Sequence, residues 1–347
     1  MQQSRPQVEQ PDGGESVRAF HKPVAPDLMC PSATLGEAPG FFVGANLPWI
    51  DYGCDFGANA WQPDGGVARP LQRQRLRDTL AWLTDHGISL VRWFALCDGR
   101  SGLRWDAGGR RPRLDRYALV DADAALDELT RAGVRVMLVL IDFRWVARAP
   151  TVNGVRLGGR RSTLSQPSAR QHLLDHVFRP FLQHCGSSRS VAAWDIINEP
   201  EWATFGVGSQ HPAATVGRGT MRAFIGETVA LVHEVTPQPA TVGLASARWL
   251  RLVKGLGLDF YQVHWYDPLE RRAPLRTHVS QLGVDRPVCL GEFPTRGSTR
   301  VPSEILAIAE GAGYQGAFAW SAGATDRASD CAELSAALGL FNDRRSR

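Results

Sequence analysis

The strongest constraint on the fold is an alternation, from about residue 40 onward, of short β-branched or aromatic runs with longer amphipathic runs. This alternation predicts βα units arranged around a parallel sheet. We predict eight strands, at residues 41–45, 90–95, 135–141, 191–198, 240–245, 260–265, 288–292 and 316–320. Eight βα units close into an α/β fold of the (β/α)8 (TIM) barrel type, which needs about 250 residues. The chain has 347, enough for one such barrel with extensions.

Periodic apolar positions predict the outer helices. Two helices show an apolar stripe followed by a glycine stop: Leu71, Leu76, Leu80 and Leu83 before Gly87, and Leu119, Ala122, Leu126 and Leu129 before Gly133. Further helices are predicted at 167–184, 217–235, 247–254, 273–282, 302–312 and 329–340. Residues 1–39 are rich in proline, glycine and polar side chains, so we predict an irregular N-terminal arm and a single barrel domain at 40–347.

Composition excludes several partners. The formal charge of +4 is the small difference between 39 basic and 35 acidic residues, so we expect no nucleic-acid partner. Residues 1–16 lack the apolar core of ~7–15 residues of a secretory signal. The apolar run at 136–141 is far below the ~20 residues that span a bilayer. We therefore expect a cytoplasmic monomer without a membrane partner, with secretion as the alternative if the N-terminus was trimmed.

The six cysteines show no Cys-x-x-Cys spacing, which predicts reduced, buried thiols and neither a zinc site nor a redox pair. A disulfide between Cys54 and Cys97, which follow neighbouring predicted strands, is the alternative in an oxidising compartment. His172 and His176 have the i, i+4 spacing of zinc ligands, but no glutamate follows the first histidine as a metalloprotease requires. No phosphate-binding glycine motif or Walker lysine occurs either, so we expect no metal and no cofactor.

Two acids stand where strands of a barrel end. Glu199 follows the apolar run 191–197, and Glu292 follows the run 288–291. The carboxyl ends of barrel strands converge on one mouth, lined by long loops that here follow the first four strands at 46–69, 97–116, 142–166 and 199–216. Two acids far apart in sequence can therefore face one substrate. A facing pair of carboxyl groups is the machinery of glycoside hydrolysis.

Five motifs resemble a known family. They are Val91-Arg92-Trp93, Asn198-Glu199-Pro200 after Trp194-Asp195-Ile196-Ile197, His264-x-Tyr266 after Asp259-Phe260, Glu292 after Val288-Cys289-Leu290-Gly291, and Trp320 after Phe318-Ala319. In this order, on five different predicted strands, they resemble clan A of the glycoside hydrolases. Within the clan they are most similar to family 5, the cellulase and β-mannanase family. The resemblance extends from about residue 40 to residue 321.

The resemblance implies that Glu199 is the general acid and base and that Glu292 is the nucleophile of a retaining mechanism, with carboxyl groups ~5–5.5 Å apart. Each role sets a physical condition. Glu199 must stay protonated near neutral pH, for which Trp194, Trp202 and Glu292 are candidate neighbours. Glu292 must stay ionised, and we expect Arg92 and Tyr266 to lie against it.

Other motif residues are expected to contact the sugar. Asn198 would donate to the sugar 2-hydroxyl, which requires a twisted or bulged strand end because alternation would point Asn198 and Glu199 to opposite faces. His264 would orient Glu199 or contact sugar; the alternative is a neutral histidine that fixes loops. Trp320 would be the platform of the innermost sugar, with a core tryptophan as the alternative. The resemblance also implies a cis peptide between Trp320 and Ser321.

The chain departs from the family at the end of strand three, where many members carry a histidine and Asp142 stands here. Asp142 could bind sugar or pair with Arg92 or Arg144. Five of the eleven tryptophans fall near predicted strand ends, namely Trp49, Trp61, Trp145, Trp202 and Trp265. Each is a candidate for the cleft, with core or loop packing as the alternative.

The predicted function is a retaining, endo-acting hydrolase of an oligo- or polysaccharide, a β-linked mannan or glucan. The run Asp259-Phe260-x-x-x-His264-x-Tyr266 and Val91-Arg92-Trp93 look more like the β-mannanase branch. An exo-acting β-glycosidase of the same clan and a non-catalytic sugar-binding barrel are the alternatives. A barrel aldolase is disfavoured because neither lysine, Lys22 or Lys254, ends a predicted strand.

Overall fold

The structure is a computed structural model that describes residues 40–147, 150–323, 326–330 and 332–338. The predicted arm at 1–39 and residues 331 and 339–340 of the last predicted helix lie outside the described residues.

Eight parallel strands form the predicted barrel. They are β1 Phe42–Asn46, β2 Leu90–Phe94, β3 Arg135–Asp142, β4 Val191–Asn198, β5 in the two parts Ala240–Thr241 and Gly243–Leu244, β6 Tyr261–His264, β7 Val288–Pro294 and β8 Gly316–Trp320. Each strand pairs with its neighbour in the chain, and β8 pairs with β1. Ala240–Thr241 pairs with β4 and Gly243–Leu244 with β6, so the ring closes through the interrupted β5. The predicted fold class is confirmed.

The core has an inner and an outer layer because side chains alternate along each strand. Phe260, Met137 and Phe318 belong to a buried inner cluster that fills the lower barrel. Trp194 faces the other way: its ring lies 6.4 Å from that of Phe181 in the helical layer. The expectation that Trp194 lies beside Glu199 is therefore wrong, because alternation turns it away from the barrel interior.

The main outer helices lie close to their predicted positions. They are α1 Pro70–Asp85, α2 Ala118–Ala132, α3 (Pro167–Leu173, a π-helical Leu174–Phe178 and Arg179–Gly186), α4 Arg218–Val235, α5 Pro302–Gly311 and α6 at 332–338. Short helices occupy Ser162–Ser165 and Asp267–Glu270, and 3-10 turns occupy Phe143–Trp145, Pro200–Ala203, Pro212–Ala214, Ala247–Leu252 and Val279–Leu282. Leu76, Leu80 and Leu83 of the predicted apolar stripe in α1 are buried. Leu71 is 68% exposed, so the prediction that it belongs to this stripe is wrong.

Two predicted helices are much shorter in the structure. The helix predicted at 247–254 is the 3-10 turn Ala247–Leu252, because Gly255 then takes a positive φ of 75°. The helix predicted at 273–282 is reduced to Val279–Leu282. Pro274 has no N–H for a helix, and the N–H of Leu275 donates to the Glu270 carboxylate at 2.9 Å.

Two hairpins rise from the loops at the mouth: Leu103–Trp105 with Pro112–Leu114 after β2, and Thr151–Val152 with Val155–Arg156 after β3. Cys54 and Cys97 are both buried and free, so the alternative of a disulfide between them is wrong. Cys30 and Cys331 lie outside the described residues. Within the described ranges, no helix combines the length and the apolar character needed to cross a membrane.

Candidate active site

The two acids meet at the mouth of the barrel. Glu199 directly follows β4, and Glu292 lies near the end of β7. Oxygens of the two carboxyl groups and a ring nitrogen of His264 all lie within 4.8 Å of one another. This proximity fits the ~5–5.5 Å spacing of retaining glycosidases and is too short for the ~6.5–9.5 Å of inverting ones.

Glu199 reaches the mouth through an unusual backbone conformation. Its φ of 48° and ψ of 51° are left-handed, in a residue that is not glycine. The Glu199 N–H donates to the Gly243 carbonyl at 2.7 Å, which holds this conformation against β5. Asn198 and Glu199 can therefore both face the mouth, and the predicted irregularity of the strand end is confirmed.

Arg92 is the hub of the site. Its guanidinium is fully buried and donates from Nη1 to Glu292 Oε1 at 2.8 Å and to Asn46 Oδ1 at 3.0 Å. Nη2 donates to Asn198 Oδ1 at 2.7 Å and, with Nε, to Asp195 Oδ2 at 2.8 and 3.0 Å. The rigid fork of arginine thus fixes both the Glu292 carboxylate and the amide of Asn198. With its oxygen held by Arg92, Asn198 has its Nδ2 group to offer a ligand.

Sequence reasoning missed the residues that support Arg92. Asp195 is fully buried and also accepts from the Gly243 N–H at 3.0 Å and from Gln262 Nε2 at 2.7 Å. A Cβ at Gly243 would lie only 2.8 Å from Arg92 Nη2 and 2.9 Å from Asp195 Oδ2, so a side chain there would displace the cluster. The available signal was the presence of Asp195 and Gln262 within otherwise apolar strands, where buried charge requires a partner.

Glu292 is held by two donors, as predicted. Arg92 contacts one carboxylate oxygen, and the Tyr266 hydroxyl donates to the other at 2.9 Å. Burial raises the pKa of Glu292 above its ordinary value, and the charge of Arg92 and the bond from Tyr266 oppose that rise. A cation at this site would lie next to the Arg92 guanidinium, so the Glu199, His264 and Glu292 cluster is a poor metal site despite its short distances.

Burial raises the pKa of Glu199 to about 7, and Arg92 and Trp202 oppose this rise. The indole Nε1 of Trp202 donates to Glu199 Oε2 at 3.1 Å, so the expectation that Trp202 raises this pKa is wrong. A donor stabilises the ionised carboxylate and lowers its pKa. A pKa near neutrality suits a group that must both give and accept a proton.

His264 lies between the two acids. Its Nδ1 is 3.0 Å from Glu199 Oε1 and 3.5 Å from Glu292 Oε2. Burial lowers the pKa of His264 to about 4, so the ring is neutral near pH 7. A neutral ring with its proton on Nδ1 donates to Glu199, which matches the expectation that His264 orients this acid.

Aromatic side chains stand on both sides of the acids. Trp320 is partly buried, with its Nε1 donating to Asp326 Oδ2 at 2.9 Å and its ring 5.9 Å from that of Trp49. The Trp320–Ser321 peptide is cis, as predicted. On the other side, Trp202 is 36% exposed and packs edge-on against Trp249 at 5.2 Å. Apolar surface that could cover a sugar ring is therefore present on both sides of the two acids.

Asp142 is buried at the end of β3, where its Cα pairs with that of Asn198. Its Oδ1 accepts from the backbone N–H of Arg144 at 2.7 Å, and its Oδ2 lies 3.4 Å from the Tyr52 hydroxyl. The predicted pairing with Arg92 is wrong, because Arg92 is occupied by other partners, and Arg144 contributes its backbone rather than its guanidinium. Burial raises the pKa of Asp142 to about 7.

Two of the candidate tryptophans belong to the packing layer. Trp145 is fully buried and donates to Thr163 Oγ1 at 2.8 Å, and Trp265 is 3% exposed and donates to Glu270 at 2.5 Å. For both, core packing is the correct alternative.

Glu201 is a further residue that sequence reasoning missed. It is fully buried, its Oε1 accepts from the N–H of Ala245, and its Oε2 has no partner among the described residues. Burial raises the pKa of Glu201 well above its ordinary value of 4.5, and the nearby Glu199 adds to the rise. Burial thus favours the protonated form of Glu201, whose Oε1 ties the turn after β4 to the end of β5.

This protonation predicts a pH-dependent effect of Glu201→Gln on stability. Above pH 4.5 the unfolded chain releases the proton that the folded protein retains, so the wild type loses stability as pH rises. Gln cannot ionise, so we expect the melting temperature of the variant, relative to wild type, to rise between about pH 4.5 and 7.5.

Calorimetry across this range measures the difference. Glu234→Gln is the matched control: Arg179 lowers the pKa of the exposed Glu234, so the stability difference of this variant should stay constant across this range and change only below pH 4.5. A constant difference for Glu201→Gln would contradict a neutral Glu201.

No protein-family model matches the chain. A mannan endo-1,4-beta-mannosidase of Mytilus edulis is 25% identical over 81% of the chain and 83% of its own length. One of Cryptopygus antarcticus is 23% identical over 81% and 80%. The crystal structure of an endo-1,4-beta-mannanase from Eisenia fetida matches with a TM-score of 0.70 and 24% identity over 89% of this chain and 91% of that one.

These similarities agree with the motifs and with the closed parallel barrel. The chain is a glycoside hydrolase, and among the families of such enzymes it most resembles family 5 of clan A.

Proposed function

We propose that the chain is a retaining endo-β-mannanase in which Glu199 is the general acid and base and Glu292 is the nucleophile. The observation that carries the proposal is the pair of carboxyl groups within 4.8 Å of each other at the barrel mouth, with different protein partners. The relatives that hydrolyse mannan as endo-enzymes support the substrate and the mode of action.

In the first step the Glu292 carboxylate attacks the anomeric carbon, and the bond to the leaving oxygen breaks. Glu199 gives its proton to that oxygen, so the leaving sugar departs as an alcohol and Glu292 becomes a glycosyl ester. Asn198 Nδ2 donates to the sugar 2-hydroxyl, a contact that strengthens in the oxocarbenium-like transition state.

In the second step Glu199 acts as a base. Its neighbour Glu292 is now a neutral ester, so the repulsion between the two acids is relieved. The donors His264 and Trp202, at 3.0 and 3.1 Å, stabilise the ionised form of Glu199. Glu199 takes a proton from water, the resulting hydroxyl attacks the anomeric carbon, and Glu292 leaves as a carboxylate with net retention.

The aromatic surfaces support endo action. Trp320 and Trp49 lie on one side of the acids, and the exposed Trp202, which packs on the buried Trp249, lies on the other. Sugars can therefore be held on both sides of the bond that is cleaved, as cleavage within a chain requires. An exo-enzyme closes one side of its site.

We expect a bell-shaped dependence of kcat/KM on pH with its alkaline limb near pH 7. The acid must be protonated, and the pKa of Glu199 is raised to about 7, so the rate falls as pH rises through that value. The acid limb reports protonation of Glu292. On mannohexaose, whose leaving alcohol needs the proton, the residual activity of Glu199→Ala should lack the alkaline limb; an unchanged limb in that variant would assign it to another group.

The proposed function is tested by sizing the products released from mannan, xylan, cellulose and mixed-linkage glucan. We expect mannan to be the preferred substrate and a ladder of oligosaccharides to appear early. Release of a single monosaccharide or disaccharide from the first time point would indicate exo action. No hydrolysis of mannan beside rapid hydrolysis of a glucan would contradict the assigned sugar.

A further inference from the structure

A continuous row of side chains leads from the innermost platform out to the protein surface. The Trp49 ring lies 5.9 Å from that of Trp320 and 4.7 Å from that of Tyr52. The guanidinium of Arg100 lies 4.4 Å from the centroid of Tyr52 and 5.9 Å from that of Trp61. We call these five residues the aromatic row. Its outer end, Trp61, is 39% exposed.

The exposed ring of Trp61 is held in place rather than loosely displayed. Its indole Nε1 donates to the Val152 carbonyl in the hairpin after β3 at 3.2 Å. Its backbone N–H donates to Asn59 Oδ1 at 2.8 Å. Trp61 is not an isolated exposed residue: it continues the aromatic row, and contiguous exposed apolar surface of this kind marks a binding site.

The aromatic row lies on the side of the cleft away from the leaving group. Its members follow β8, β1 and β2, whereas Glu199 and Trp202 follow β4, across the ring of strands. Because Glu199 protonates the leaving oxygen, the leaving sugar lies toward Trp202. The aromatic row therefore lies along the glycone, the part of the substrate that stays bound to Glu292.

Polar groups accompany the row. The Tyr52 hydroxyl lies 3.4 Å from Asp142 Oδ2, and Arg100 donates to Asp98 at 2.7 and 2.9 Å. Aromatic faces cover the CH faces of pyranose rings, and a few carboxylates accept from their hydroxyl groups. Alternating apolar and polar groups of this kind suit a neutral sugar chain.

We propose that Trp61 is the outer sugar-binding platform of the glycone side, so that the enzyme binds an extended β-linked mannan chain upstream of the cleaved bond. The proposal rests on the proposed function. It makes catalytic efficiency depend on substrate length, because only a long glycone reaches Trp61.

The test compares kcat/KM for mannohexaose and for 4-nitrophenyl β-mannobioside. Trp61→Ala should lower the value for mannohexaose about tenfold and leave the value for the short substrate unchanged. Trp61→Phe, which keeps an aromatic face but loses the bond to Val152, should retain most of the activity on mannohexaose. Trp82→Ala is the control, because Trp82 lies in α1 and stacks on His86.

Three outcomes would contradict the role of Trp61 as a platform: no loss of kcat/KM on mannohexaose, an equal loss of kcat/KM on both substrates, or a Phe variant as impaired as the Ala variant. The last two would assign the effect to the hairpin that Trp61 holds. If the wild type hydrolyses cello-oligosaccharides and not manno-oligosaccharides, the proposed function fails, and the same length comparison on the glucan series tests the platform independently.

Discussion

Glu292→Ala is expected to lower kcat on mannan by about 10⁵-fold, because the covalent path loses its nucleophile. The cavity left by the side chain lies between Arg92 and Tyr266, which bind the two oxygens of Glu292 at 2.8 and 2.9 Å. Azide can enter that space and attack an activated aryl glycoside directly. Such an attack inverts the anomeric centre, so the product should be the α-glycosyl azide.

The configuration of the azide product is the decisive measurement, and it can be made by NMR. Glu234→Gln provides the control, since Glu234 is an exposed acid of α4 paired with Arg179, outside the cleft. A Glu292→Ala variant with wild-type turnover, or one that forms only the β-glycosyl azide, would remove Glu292 from the role of nucleophile.

Glu199→Ala is expected to lower kcat on mannan by about 10³-fold or more, because a sugar alcohol is a poor leaving group without a proton. An aryl glycoside with an acidic phenol needs no such proton, so its first step should be nearly unaffected. The glycosyl-enzyme ester then accumulates, because water has lost its base. Azide attacks the ester without a base and should restore turnover, here giving the β-glycosyl azide.

The two variants thus predict azide products of opposite configuration from the same reagents. This contrast separates the roles of the acids even if both variants are severely impaired on mannan. An equal loss for Glu199→Ala on good and poor leaving groups would show that this residue acts on something other than the leaving oxygen.

The charge network explains why the two acids differ. Arg92 hydrogen-bonds Glu292 directly and shares its charge with Asp195. Glu199 accepts from the neutral His264 and Trp202, and the charge of Arg92 acts on it without a hydrogen bond among the described residues. A permanent positive charge stabilises a carboxylate more strongly than a neutral donor does. One acid is therefore kept closer to its ionised form, and the other retains its proton to about pH 7.

The sequence alone was sufficient for the barrel, the strand positions and the two acids. Strands buried on both faces are apolar, so they can be recognised in the sequence as short apolar runs. The polar residues that follow these runs line the mouth of the barrel. Arg92, Tyr266 and Glu292 were assigned to one cluster because their strand ends must meet. The helix predicted at 273–282 failed because its apolar positions alone did not show how Glu270 would bind the backbone at Leu275.

Features that depend on contacts between residues distant in sequence were decided only by the tertiary structure. The outward direction of Trp194, the neutral buried Glu201 and the occupied fork of Arg92 follow from which face of a strand meets which neighbour. Short-range sequence patterns show the periodicity of helices and strands, but they do not show which side chains of different strands contact one another. Burial and hydrogen bonding between strands remote in sequence set the pKa values, and so they decide which acid holds a proton.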